Sequence, residues 1–209
     1  LNLREEDIIS APDIKSIYEV PINFEKDKLG TIVLKKLGLK KKKTDLNDWR
    51  RLVAVIHKQD KPRVRIGIVG KYFASGSFSL ADSYISVIEA LKHAAWFWKH
   101  EVDLVWLEAE RYEKDSRALK ELKEFDGIVV PGGFGKRGIE GKIKVIEFCR
   151  KEKIPYFGLC YGMQLMVVEF ARHVAKMERA HTEEINPKTP YPVIHILPEQ
   201  EALLSEKKY

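Results

Sequence analysis

Of the two cysteines in the chain, Cys160 stands in a setting suited to chemistry. It is the centre of Gly158-Leu159-Cys160-Tyr161-Gly162, a G-x-C-x-G turn between an apolar stretch and a helical pattern. This is the thiol counterpart of the nucleophile elbow, in which a sharp strand-to-helix turn lifts the reactive side chain off a sheet. Flanking glycines let the chain turn without side-chain clashes. Free N–H groups and the positive dipole end at the start of a helix stabilise negative charge on sulfur, the form in which it attacks. A lone cysteine is more often a small buried hydrophobe. Strand, paired glycines and following helix together favour a nucleophile. Cys149 lies inside the preceding helical pattern without such a setting and reads as a core or surface residue.

A second glycine-rich turn, Pro131-Gly132-Gly133-Phe134-Gly135, follows another apolar stretch, Gly127-Ile128-Val129-Val130. Backbone N–H groups exposed there suit an oxyanion hole, with the N–H of Gly133 and that of Tyr161 aimed at the oxygen of a tetrahedral intermediate. Losing one such donor typically costs about 100-fold in rate. An ordinary tight loop is the competing reading. A phosphate-gripping loop is excluded, because no G-x-x-x-x-G-K-[ST] occurs.

The elements that must carry these turns alternate between strand and helix patterns. Val64–Gly70, Val102–Leu107, Gly127–Val130 and Pro155–Cys160 read as strands. Ser83–Trp98, Ala118–Glu124, Lys142–Lys151 and Gln164–Lys176 read as helices, and Pro192–Leu197 as a later strand. The expected fold is α/β, a mostly parallel sheet with helices on both faces, whose chemistry falls at the carboxyl ends of strands. Residues 1–62 read differently: short apolar pieces, a helical stretch at Leu29–Leu37, the Lys40–Lys43 run, and a helix capped by Thr44 and Asp45 that carries Leu46, Trp49, Leu52, Val53 and Ile56. Gln59 to Arg63, with Pro62, reads as a linker.

Bulk properties bound the remaining classes. Lysine and arginine exceed acids by six in 209 residues, spread over helices without a patterned basic patch or reading motif, so nucleic acid is not expected as a partner. Two cysteines, no CxxC and no metal spacing argue for a reducing cytoplasm and no metal site. No apolar run approaches the ~20 residues that span a bilayer, and no membrane partner is expected.

Gly67-Ile68-Val69-Gly70-Lys71-Tyr72, Ser83-Tyr84 with Val87 to His93, Val130 to Lys142, Ile154 to Gln164 and Glu169-Phe170-Ala171-Arg172 together resemble the class I glutamine amidotransferase domain of the CTP synthase family. Ile9 to Asp13 and Ser16 to Pro21 resemble the end of that family's synthetase domain, and the Trp49 helix its interdomain linker. The resemblance implies two regions, 1–62 (synthetase end and linker) and 63–209 (glutaminase domain). It implies that Cys160 attacks the side-chain amide of glutamine and frees ammonia for ATP-dependent amination of UTP to CTP. Gly133 and Tyr161 would supply the oxyanion N–H groups, and Gln164, Glu184 and Phe134 would hold the substrate. Arg137, Gly138 and Glu140 would lie near a GTP effector site. No cofactor is implied in this domain; ATP, UTP and Mg belong to the synthetase domain, the expected partner within a homo-oligomer.

Two departures qualify the resemblance. Tyr161 stands where the family usually has leucine, which changes the pocket wall but keeps the N–H. The family's downstream H-P-E histidine and glutamate, and its G-G-T-M-R-L-G segment, have no counterpart before Tyr209. A cysteine hydrolase needs a base. His173, His181 and His195 are poorly placed to serve, which leaves an alternative expectation: a catalytically incomplete fragment or degenerate paralogue that binds glutamine or a partner without turnover.

Overall fold

The structure is a computed structural model that describes residues 4–40, 43, 45–70, 84–133, 135–197, 199 and 200. It divides into two compact units, residues 1–61 and 62–209.

The first unit is helical. A short 3₁₀ turn, Ile17–Glu19, leads into α1 (Val20–Lys26), where Pro21 sits at the helix start. It is followed by α2 (Leu29–Lys36) and α3 (Asn47–His57). Proline is tolerated there because the first-turn N–H has no helical acceptor anyway. Trp49 of α3 donates its indole N–H to Tyr18 O at 2.6 Å, and His57 Nε2 meets Glu19 Oε1 at 2.9 Å. Asp45 contributes to the start of α3 by accepting from Asn47 N at 2.9 Å; Thr44, the other expected cap, lies outside the described residues.

The second unit holds a four-stranded, all-parallel sheet in the order β2-β1-β3-β4, made of β1 (Arg63–Gly70), β2 (Glu101–Glu108), β3 (Gly127–Val130) and β4 (Tyr156–Gly158). All four residues of β3 are buried, as expected for a short Ile/Val run in the middle of a parallel sheet. The connections are α4 (Ile85–Phe97), then α5 (Ala109–Lys114) with a 3₁₀ stretch Ser116–Glu124, then α6 (Ile139–Glu152); α7 (Tyr161–His173) follows β4. From β1 the chain steps one way to β2 and afterwards the other way to β3 and β4. Right-handed crossovers therefore place α4 on one face of the sheet and α5 and α6 on the other.

Val69, Leu107, Ile128 and Val130 from the sheet pack with Tyr112, Leu122, Val145 and Cys149 into one buried cluster. A second cluster joins Ile139, Ile143 and Ile146 of α6 to Tyr161, Leu165 and Val168 of α7. Glu169, only 1% exposed, ties these helices together: Arg150 reaches it with Nη2 at 2.7 Å and Nε at 3.1 Å, and His173 Nδ1 at 3.1 Å.

Three sequence expectations need correction. The helix expected at Ala118–Glu124 is present as a 3₁₀ stretch that begins two residues earlier, at Ser116. The helix after Cys160 starts at Tyr161 rather than Gln164 and ends at His173. The late strand is confined to β6 (Pro192–Ile194) and pairs with β5 (His181–Thr182) in a separate two-stranded parallel sheet. The expected start of α4 at Ser83 lies outside the described residues.

Candidate active site

Cys160 is the second of the two residues that join β4 to α7, with φ 50° and ψ −107°, and its side chain is exposed. A positive φ on a non-glycine residue is strained, and such strain gathers at functional sites. The flanking glycines do not relieve that strain themselves. They permit close approach: a β-carbon on Gly158 would come within 2.6 Å of Gly162 C and Met163 N, and one on Gly162 would run into the carbonyl oxygen of Val130. The elbow is thus pressed onto the end of β3. Leu159 N–H donates to Val130 O at 2.9 Å, and the half-buried Tyr156 donates its hydroxyl to Gly162 O at 2.9 Å.

The glycine turn after β3 approaches Cys160 through Gly132. A β-carbon built on Gly132 would be 3.4 Å from Cys160 Cβ and 3.8 Å from its Sγ. Tyr84, at the entry to α4, donates its hydroxyl to Gly132 O at 3.3 Å. Because the peptide is trans, the Gly133 N–H points opposite to that carbonyl, so Tyr84 fixes the direction of this expected oxyanion donor. At the start of α7, Gly162 and Gln164 donate to Leu159 O and Cys160 O at 2.9 and 3.1 Å. The Tyr161 N–H makes no backbone hydrogen bond among the described residues, as expected at a helix N terminus.

The other expected site residues divide into two groups. Gln164 is half-buried one turn beyond Cys160 on the same helix face. Glu184 is exposed, and burial, with the Glu184 charge adding to it, pushes the Tyr161 phenol up to about 12. Phe134 lies outside the described residues. The three effector-proximal residues also have contacts within the fold. Arg137 Nε pairs with Glu110 Oε1 at 2.6 Å, Gly138 starts α6 at φ 70°, and Glu140 holds Arg172 Nη1 at 2.9 Å.

Sequence reasoning passed over Tyr84, Tyr156 and Lys142 as site residues. Lys142 is 2% exposed, its Nζ 5.6 Å from the Tyr161 ring centroid and 3.9 Å from the place a β-carbon on Gly133 would take. The available signal was a lysine on the apolar stripe of Ile139, Ile143 and Ile146. Cys149 is fully buried in the core, and burial pushes its thiol up to about 12.

The histidines are engaged elsewhere. His57 meets Glu19, His93 packs on Trp96, and His100 Nδ1 lies 2.7 Å from Trp98 O. His173 meets Glu169, His181 Nδ1 accepts from Thr182 N at 2.8 Å, and His195 pairs with Glu183. His173 is also about 20 Å from Cys160 along α7, at 1.5 Å per residue.

An all-parallel sheet flanked by helices, with a strained cysteine elbow at one strand end and a glycine turn beside it, defines an α/β domain of the amidotransferase type. The glutamine amidotransferase class-I family profile matches residues 79–193, and the chain belongs to that family. It is 48% identical over 202 residues to the CTP synthase of Pyrococcus abyssi, covering 97% of this chain and 36% of that protein. It is 49% identical over 194 residues to the CTP synthase of Prochlorococcus marinus, covering 93% of this chain and 35% of that protein. The solved glutaminase domain of Trypanosoma brucei CTPS with bound acivicin superposes with a TM-score of 0.59 at 36% identity, over 65% of this chain and 50% of that one. The chain spans about a third of the length of the curated relatives it matches.

Proposed function

We propose that residues 62–209 form the glutamine-hydrolysing part of a CTP synthase, in which Cys160 attacks the glutamine side-chain amide. The sulfur–carbon bond forms as the carbonyl π pair moves to oxygen, and the N–H groups of Gly133 and Tyr161 receive that charge. Collapse of the intermediate expels ammonia, and water then frees glutamate from the thioester. Gln164 and Glu184 hold the amino-acid end of the substrate, with Phe134 at the pocket wall. Ammonia serves ATP-dependent amination of UTP in a synthetase domain, whose end and linker correspond to residues 1–61. ATP, UTP and Mg belong to that domain, GTP is an effector near Arg137, Gly138 and Glu140, and the full-length protein is a cytoplasmic homo-oligomer.

Among the described residues no group of three or more His, Cys, Asp or Glu side chains is placed to hold a metal, and no step here is routed through one. Among the described residues, no helix is long and apolar enough to cross a membrane.

The observation that carries the reading is the contact of the Gly132 turn with an exposed, strained Cys160 at the start of α7. Acivicin tests it, since alkylation needs the sulfur and its cradle but no base for a leaving amine. One equivalent should attach to Cys160 by intact mass and peptide mapping, and Cys160→Ala should take up none. Random or absent modification would sink the reading. Ammonia release from glutamine, measured in parallel, reports the further requirement for a base.

A further inference from the structure

Lys142 is out of place on the stripe it occupies. Its neighbours Ile139, Ile143 and Ile146 are core residues, and a lysine only 2% exposed carries a cost of burial that a methionine or leucine would not. What the lysine gains is position. Its Nζ lies 3.9 Å from the β-carbon site of Gly133 and 5.6 Å from the Tyr161 ring centroid. One buried amine therefore stands close to both residues assigned as oxyanion donors.

Resting on the function proposed above, we infer that Lys142 is a positioning residue for the oxyanion cradle. It lies beside Gly133 and against the Tyr161 ring, so that the two N–H groups are held in register. Its positive end also adds to their potential from a buried position, where a charge acts more strongly than at the surface. Lys142 touches neither substrate nor sulfur in this role and acts only through Gly133 and Tyr161. Substitution should therefore slow reactions that build charge at the cradle and spare those that need the sulfur alone.

Two electrophiles separate these cases on the same chain. Acivicin is attacked at a C=N carbon: the sulfur–carbon bond forms, negative charge passes to the ring nitrogen, and chloride then leaves. Iodoacetamide is attacked at a CH₂ carbon, where the sulfur displaces iodide directly and nothing bears charge in the cradle. Lys142→Met keeps the length and fills the buried site; Lys142→Arg keeps the charge. The expected result is that Lys142→Met slows acivicin labelling of Cys160 at least tenfold, leaves iodoacetamide labelling within twofold, and keeps the thermal midpoint at or above that of the parent. Lys142→Arg should recover most of the acivicin rate. Equal loss with both reagents would overturn the inference, because the lysine would then act on the thiol or the fold. Unchanged acivicin labelling in Lys142→Met would overturn it as well. If the parent chain itself fails to react with acivicin at Cys160, the proposed function falls, a result distinct from either of these.

Discussion

Gly132 touches Cys160: a β-carbon on the glycine would lie 3.8 Å from the sulfur, at ordinary contact distance. The fold can accept alanine there, whereas the reaction would feel it. Gly132→Ala should change stability by less than about 1 kcal/mol while slowing acivicin labelling about tenfold, since a methyl group now shares the space in which the electrophile must align. Denaturant titration and labelling kinetics on one preparation check both halves. A variant that labels at the parent rate would show that the turn does not border the attack path.

Strain at Cys160 gives a complementary expectation. With φ at 50° and an exposed side chain, cysteine contributes little packing and holds a backbone conformation that glycine adopts freely. Cys160→Gly should therefore raise stability by about 1 kcal/mol and abolish labelling altogether. Cys149 should remain unmodified at neutral pH, because burial holds its thiol up near 12. A lower urea midpoint for Cys160→Gly than for the parent would mean that the joint is not strained.

The β3 and β4 strands, the glycine turn and the cysteine elbow were legible in the sequence because each is local: apolar runs, then glycines, then a helical period. The reason for the glycines was only half legible. Gly162 is required by the Val130 carbonyl, which is 32 positions away in sequence, and no spacing rule reveals such an approach. Tyr84 and Lys142 were missed for the same reason. Each acts on the Gly132–Gly135 turn from another helix, and a lysine within Ile139–Ile146 looks like solvated surface until the partner helix covers it. Arg137 and Glu140, set near an effector by the family resemblance, also form ion pairs with Glu110 and Arg172, 27 and 32 positions away, which no local spacing reveals.

Glu169 separates stability from site chemistry. Its carboxylate is buried, while Arg150 and His173 are each about a third exposed, and all three lie towards the end of α7 remote from Cys160. Glu169→Gln leaves Arg150 without its counter-charge, and should cost about 2 kcal/mol, below the usual loss for breaking a fully buried pair because the guanidinium keeps some water. The acivicin labelling rate of the folded protein should stay within twofold of the parent. A labelling rate that falls along with stability would connect this ion cluster to the elbow through α7.

His181 sets a dependence on pH. Burial, then the charge of Arg172, holds the imidazole below the ordinary value of 6.5; Glu140 pulls the other way and Lys136 adds to the lowering. The ring is neutral in the fold with Nδ1 as the acceptor for Thr182 N–H, so a proton there would displace that hydrogen bond. In the unfolded chain the same histidine takes its proton near 6.5, and in the fold only at lower pH. Its contribution is therefore complete above about 6.5 and declines as pH falls below that value, because the unfolded state binds the proton first. Urea midpoints measured from pH 7.5 to 5 should fall with pH, and His181→Gln should lose the part of that slope that begins near 6.5. Parallel slopes for parent and variant would assign the acid sensitivity to other groups, and would mean that the β5 strand carries its histidine without linkage to folding.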